Sequence, residues 1–265
     1  MNADVSGAPK SWDPAHYLKY AGQRIRPALD LLARIPLDEA RTIADLGCGP
    51  GNVVEHLARA FPGAAITGVD NSAQMLNAAR SEHGDAATWV QMDAARWEPD
   101  APQDLIFANA SLQWLDRHEI LFPRLMGFLR PGGVLAVQMP DQFAEPSHVE
   151  MRAVATEGPW AATLKSLLRP APVARPEDYY DWLSPRAASL DIWRTAYTQV
   201  MEGNDPVLDW IGASAMKPLR EALPADQKGP FRDALAERLR RAYPRRADGT
   251  TLFAFKRLFI IAVSL

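Results

Sequence analysis

Cysteine is nearly missing from this sequence. Cys48 is the only one in 265 residues, which excludes an intrachain disulfide and any cysteine-rich zinc site. A surplus of charge of one sign is missing too: 29 basic residues are balanced by 32 acidic ones, a net charge of −3. Proteins that bind nucleic acid usually concentrate positive charge over a face, so nothing here favours such a partner. The one local excess, Arg238, Arg240, Arg241, Arg245 and Arg246, has the spacing of a solvated helix face. No apolar run approaches the roughly 20 residues needed to cross a bilayer. The start, MNADVSGAPKSWDP, is polar and proline-containing, without the charged-then-apolar order of a signal sequence. Cytoplasmic residence is therefore expected, with no membrane partner. The five histidines (His16, His56, His83, His118 and His148) lack metal-ligand spacing, so no metal is expected.

What the chain does have is an ordinary core composition, 48% hydrophobic and 23% charged, enough for one large domain or one domain with a sizeable insertion. Residues 1–11 read as a disordered tail and 12–265 as a single domain with no internal repeat. Helical spacing of Tyr17, Leu18, Ala21, Ile25, Ala28, Leu29 and Leu32 predicts a first helix over 14–35. A regular alternation follows. Strands are expected at 42–46, 65–69, 88–92, 104–108 and 134–138, and helices at 52–61, 72–82 and 119–129. Ser72 is a candidate N-cap, and Pro131-Gly132-Gly133 is the expected helix stop. Strand and helix in turn imply parallel pairing with helices on both faces.

The rhythm breaks after Pro140. Residues 146–187 are helical and proline-punctuated, 190–200 is a long strand, 207–216 and 225–243 are helical, and 251–263 is a closing strand. The expected architecture is thus α/β, a doubly wound, mostly parallel seven-stranded sheet. Its cofactor-binding core spans about 40–140, and helical insertions at about 146–187 and 205–245 form a cap.

The strongest chemical signal is Ala44-Asp45-Leu46-Gly47-Cys48-Gly49-Pro50-Gly51-Asn52, directly after the first strand. Its glycines let the backbone turn tightly and approach a ligand without Cβ interference. Such loops serve both dinucleotides and S-adenosylmethionine. The dinucleotide fingerprint GxGxxG would need glycine where Asn52 stands. Asp45 would repel a pyrophosphate but suits a cationic amino and sulfonium ligand. A purely structural turn is the alternative.

The second strand ends in Thr67-Gly68-Val69-Asp70. That acid follows the glycine loop at about the 20-residue distance where a carboxylate meets ribose hydroxyls. Charge-assisted bonds from two hydroxyls would fix the sugar; a helix cap is the alternative role. The third strand ends in Gln91-Met92-Asp93-Ala94, whose acid can accept from an adenine amino group or serve as a loop aspartate. Strand four runs into Asn109-Ala110-Ser111-Leu112-Gln113-Trp114-Leu115. Ligands of parallel sheets bind beyond the carboxyl ends of the strands, so Asn109 and Gln113 are candidates, while Trp114 suits either core or site.

In this order, DLGCGPGN, TGVD, QMDA and DLIFANASLQWL resemble the class I S-adenosylmethionine-dependent methyltransferases over roughly 42–140. The whole chain is similar to a narrower family, the trans-aconitate 2-methyltransferases. The matching stretches include Trp12-Asp13-Pro14 with Tyr17-Leu18, Arg24 with Arg26-Pro27, and Leu31-Leu32-Ala33-Arg34. Leu135 to Asp141, Asp191 to Thr195 and Arg257 to Ile260 match as well, whereas 157–176 does not show the pattern.

The resemblance implies methyl transfer from S-adenosylmethionine to a carboxylate oxygen of a small polycarboxylate, trans-aconitate, leaving S-adenosylhomocysteine. By carry-over, Gly47 and its loop (Asp45, Gly49, Gly51 and Asn52) would hold the methionine portion and Asp70 the ribose, with Asn71 and Met75 as further cofactor-binding candidates. Asp93 with Ala94 would read adenine and Asn109 would line the sulfonium side, with Ala110 and Gln113 as further cofactor-binding candidates. The chain is expected to act as a monomer.

A carboxylic acid near pKa 4 is already ionised at neutral pH, so such a reaction needs no general base. The protein has to position the reactants, exclude water and hold a polyanion. That predicts no His–Asp pair, and cationic or hydroxyl clamps, arginine above all. Tyr17, Tyr20 and Arg24 share one face of the first helix. Arg194 and Arg257 are charged residues in apolar strands, where a buried guanidinium needs a partner, either substrate or a structural acid. Tyr180, beside Tyr179, sits in an insertion suited to a lid, where packing is the alternative. A methyltransferase for another small acceptor would share the cofactor motifs. A nicotinamide dehydrogenase or a non-catalytic cofactor binder are the readings from other classes, and Asn52 argues against the dehydrogenase.

Overall fold

The structure, a computed structural model, describes residues 21–212 and 215–265, with side chains of the first helix described from Ile25 on. The expected tail and the predicted start of the first helix lie outside the described residues. Seven strands form one sheet: β1 (Thr42–Leu46), β2 (Ala65–Asp70), β3 (Thr88–Gln91), β4 (Gln103–Asn109), β5 (Leu129–Pro140), β6 (Ala187–Met201) and β7 (Thr251–Ser264). Their order is β3-β2-β1-β4-β5-β7-β6. Strands one to five are parallel, and β7 runs antiparallel against β5. The chain winds outward from β1 through β2 to β3, then returns to β4 on the other side. Between β1 and β4 lies the topological switch point at which such sheets bind ligands.

The chain divides into two compact units. The first takes in residues through Pro140 together with Val173–Thr195 and Arg257–Leu265, and the second Asp141–Pro172 with Ala196–Lys256. In the first unit the described helices are α1 (Ala21–Leu32), α2 (Val54–Ala60), α3 (Ala73–His83), α4 (His118–Met126) and α7 (Pro176–Leu183). β1 and β4 are buried almost end to end, as a central strand covered on both faces must be. The apolar side chains of β4 and β5 pack with Leu121, Phe122 and Leu125 of α4 and with Tyr179 and Leu183 of α7. At the start of β4, Asp104 Oδ2 accepts from Arg41 N, Thr42 N and Thr42 Oγ1, tying β1 to β4.

The second unit holds α5 (Pro146–Glu157), α6 (Ala161–Leu164), α8 (Pro206–Gly212), α9 (Lys217–Ala222) and α10 (Ala225–Ala242). Trp160 stacks edge-on against Phe231 at 5.3 Å and donates from Nε1 to Val154 O. The arginines read as a solvated face are mostly ion-paired: Arg238 with Glu150 and Glu157, Arg240 with Asp205, Arg241 with Glu237. None of the described helices is long and apolar enough to cross a membrane.

Two sequence expectations need correction. Helix two starts at Val54, because residues 50–53 form the turn that closes the glycine loop. Pro131-Gly132-Gly133 does not stop α4, which ends at Met126. Those residues lie inside β5, where the register jumps from Gln103↔Leu129 to Leu105↔Val134. The extra residues bulge outward through Gly132 at φ +73°, the left-handed conformation a glycine accepts without strain.

Candidate active site

The glycine loop leaves β1 and folds back over the end of β2. Gly47 N and Cys48 N both donate to Val69 O, at 2.7 and 3.0 Å. Gly47 has φ +75°, and a Cβ there would stand 2.2 Å from Ser111 Cβ. Gly49 has φ +57° with nothing within 4 Å of where its Cβ would be, so this backbone is free to meet a ligand. Cys48 is buried in the loop. Burial, then Asp45 and Asp70, push its thiol far up, so it packs and does not act as a nucleophile.

Asp70 organises this loop as well as ending β2. Its Oδ2 accepts from Gly49 N at 2.9 Å and its Oδ1 from Ser72 N at 2.8 Å. Ser72 in turn caps α3, its Oγ accepting from Met75 N. Burial raises the Asp70 carboxyl, opposed by those two backbone donors. Each oxygen keeps a further lone pair for a ligand hydroxyl. Asp70→Ala should therefore weaken S-adenosylhomocysteine binding by about 1–3 kcal/mol, read by isothermal titration. An unchanged dissociation constant would remove Asp70 from the site.

β3 ends beside it: Met92 N donates to Asp70 O at 3.0 Å, and Asp93 Oδ1 accepts from Ala95 N at 2.8 Å. The parallel register of β1, β2 and β3 brings Asp45, Asp70 and Asp93 to one edge of the sheet. Asp45 is 2% exposed. Burial, reinforced by Asp70, pushes its carboxyl up to about 7.

The loop after β4 completes the edge. Ala110 holds φ 54°, a left-handed conformation uncommon outside glycine and the kind of strain that gathers at functional sites. Its N–H donates to Gln138 O at 2.9 Å. Ser111 Oγ donates to Leu46 O at 2.6 Å, fixing the loop against β1, and Gln113 Nε2 donates to Ala110 O at 2.8 Å. Behind the loop, buried His118 meets Leu112 O through Nε2 at 2.9 Å and Tyr179 Oη through Nδ1 at 2.7 Å. A carbonyl accepts only, so Nε2 carries the proton and Nδ1 accepts from the phenol. Burial lowers the pKa of His118. With both nitrogens engaged, it supports the loop and is no free base.

At this edge three buried acceptor oxygens have no hydrogen-bond donor among the described residues: Asp45 Oδ2, Asn109 Oδ1 and Gln113 Oε1. The orientation of the Gln113 amide is fixed, because its nitrogen already faces a carbonyl. Buried acceptors left without donors are costly. All three lie at the carboxyl ends of β1 and β4, and together they suit a ligand that is positively charged and rich in N–H donors.

The remaining candidates differ in exposure and in their place on the sheet. Asn71 is exposed, and its carbonyl accepts from Gln91 Nε2; Asn52 is half-buried and Met75 is buried on α3. Tyr17 and Tyr20 lie outside the described residues, as does the side chain of Arg24. Tyr180 is 56% exposed on α7, whereas Tyr179 is wholly buried. Arg194 is exposed on β6, the strand at the opposite end of the sheet from β3. Its neighbour Trp193 stacks on Phe259 at 4.8 Å and lies under the Arg34 guanidinium. Arg257 is buried on β7, its Nη1 donating to Gln138 Oε1 at 3.3 Å. Ser111 and Gln138 escape the sequence reading. The signal for Gln138 was available, a lone amide inside the apolar run Val134–Met139. Among the described residues no group of three or more His, Cys, Asp or Glu is placed to hold a metal ion.

Known proteins resemble this chain closely. A methyltransferase domain family matches residues 43–133. A trans-aconitate 2-methyltransferase of Azoarcus sp. (strain BH72) is 47% identical over 253 residues, 96% of this chain and 99% of its own length. That of Paracidovorax citrulli is 48% identical over 261 residues, covering 95% and 97%. Among solved structures, a Haemonchus contortus phosphoethanolamine N-methyltransferase in complex with S-adenosyl-L-methionine superposes with a TM-score of 0.55. It is 17% identical and covers 91% of this chain and 53% of that one, a likeness of fold.

Proposed function

The chain belongs to the trans-aconitate 2-methyltransferase family, and from that premise we propose that it transfers a methyl group from S-adenosylmethionine to a carboxylate oxygen of trans-aconitate. The products are a monomethyl ester and S-adenosylhomocysteine. One observation carries the cofactor side: the unsatisfied buried oxygens of Asp45, Asn109 and Gln113 along the carboxyl ends of β1 and β4. They match a ligand that presents an ammonium group and a sulfonium.

Asp45 and the Gly47, Gly49, Gly51, Asn52 turn would hold the methionine portion, and Asp70, Asn71 and Met75 the ribose. Asp93 and Ala94 would take the adenine, and Asn109, Ala110 and Gln113 the sulfonium side. S-adenosylmethionine supplies a methyl group already activated on sulfur, with a neutral thioether as its leaving group. The acceptor carboxylate is ionised at neutral pH, so no residue has to remove a proton from it. The work left to the chain is to align two ligands and keep water out. His118, with both nitrogens occupied, fits a site without a general base. On the acceptor side we propose Tyr17, Tyr20, Arg24, Tyr180, Arg194 and Arg257 as the hydroxyl and guanidinium candidates for contact with a polyanion.

The direct test is incubation with methyl-labelled S-adenosylmethionine and a panel of di- and tricarboxylic acids. A base-labile labelled ester should form with trans-aconitate in preference to the others. Label in another acid, a phenol or a carbon acid would keep the methyltransferase and change its acceptor. In a parallel titration S-adenosylhomocysteine should bind and NAD should not.

A further inference from the structure

Acceptors and donors separate along the carboxyl edge of this sheet. Asp45 pairs in register with Phe107, Phe107 with Ala136, and Asn109 with Gln138. Residues two apart on a strand share a face, as do register partners on neighbouring strands. Asp45, Asn109 and Gln138 therefore lie on one face. Gln138 and Pro140 share that face, and Pro140 pairs with Arg257, which places Arg257 on it too. At the carboxyl ends of β1 and β4 the unsatisfied buried atoms are the oxygens of Asp45, Asn109 and Gln113, whereas on β5 the unsatisfied atom is the amide nitrogen of Gln138.

Gln138 is 0% exposed and Arg257 5% exposed. The guanidinium of Arg257 only donates, so the amide oxygen of Gln138 must face it, as the 3.3 Å contact shows,. The amide nitrogen is thereby turned away, and Gln138 Nε2 has no hydrogen-bond partner. A buried NH2 group without an acceptor is costly, a cost that an anionic oxygen would offset. The residue is anchored at both ends, since its backbone carbonyl also takes the N–H of strained Ala110 on the cofactor side.

We infer that Gln138 binds the methyl acceptor, its Nε2 donating to a carboxylate oxygen beside Arg257 and setting that acid next to the Asn109–Gln113 loop. The inference rests on the proposed reaction and adds the residue that selects a carboxylate.

Two substitutions test it. Gln138→Leu removes both amide functions at similar volume, and Gln138→Glu keeps an oxygen for Arg257 while replacing the NH2 donor by a second acceptor. Both should raise KM for trans-aconitate at least tenfold, Glu more than Leu. Trans-aconitate titrated into the S-adenosylhomocysteine complex should weaken in parallel. Affinity for S-adenosylhomocysteine alone should stay within threefold of wild type. If the leucine variant does not fold, the glutamate variant carries the test, since it retains a partner for the guanidinium. Unchanged acceptor affinity in either folded variant overturns the inference, and so does an equal loss of both affinities, which would make Gln138 a support for the Ala110 turn. Failure of the underlying reading looks different: wild-type protein would then give no ester from trans-aconitate, whatever its variants do.

Discussion

Asp45→Asn is expected to make the ligand-free protein more stable at pH 8 while stripping it of cofactor affinity. Burial, then Asp70, lifts the Asp45 carboxyl to about 7 in the folded chain, against an ordinary value of 3.8. Between those values the folded state holds a proton that the unfolded state has released. Stability is therefore greatest below about pH 4 as far as this group is concerned, and falls as pH rises to about 7. The full loss is on the order of 4 kcal/mol.

An amide escapes that loss but still needs hydrogen bonds where it is buried, so a net gain of about 2 kcal/mol is expected. In a chain of this size that corresponds to roughly 4–8 °C in melting temperature. The gain should vanish near pH 4.5, where wild-type Asp45 is protonated. S-adenosylhomocysteine, whose ammonium group we propose meets this carboxylate, should bind the variant about 10–100-fold more weakly. Melting curves at pH 4.5 and 8, with and without ligand, decide it. An equal shift at both pH values would mean that Asp45 is not the titrating group.

Gly47→Ala should be strongly destabilising. Its φ of +75° costs an L residue about 1–2 kcal/mol,. The new Cβ would also stand 2.2 Å from Ser111 Cβ and 2.9 Å from Ser111 Oγ, where overpacking costs about 1–3 kcal/mol more. Relief would push Ser111 off Leu46 O and break the link between the β4 loop and β1. Denaturant midpoints should fall by the equivalent of about 2–5 kcal/mol, and cofactor binding should be lost even in the surviving folded fraction. Gly49→Ala is the control. Its φ is also positive, but its Cβ meets nothing within 4 Å, so stability should drop by the conformational part alone. Equal destabilisation by the two substitutions would show that contact with Ser111 does not matter.

These effects fall on features that differ in how readable they were. The glycine turn, the acid two residues before it and the acids closing β2 and β3 announce themselves within a few residues. Turn chemistry and strand periodicity are local properties of a chain. The role of Asp70 as an organiser of the loop, through Gly49 N, was hidden because its partner lies 21 residues away and donates from backbone. Ser111 was hidden for the same reason, acting on a strand distant in sequence, whereas Gln138 stood out as a lone amide in an apolar run but its partner Arg257 lies 119 residues away. The Pro131-Gly132-Gly133 break misled because a bulge inside a strand and a helix stop use the same residues.

Taken alone, the amino-acid order determined the strand–helix alternation, the glycine loop and the acids at its strand tips, because periodicity and backbone permissiveness are written residue by residue. Only the tertiary structure decided which oxygens stay without donors, that burial holds Asp45 near neutrality, and that Gln138 turns an idle NH2 away from Arg257. Those depend on what surrounds an atom in space, on dielectric and on partners from other strands, and no stretch of sequence carries that information by itself.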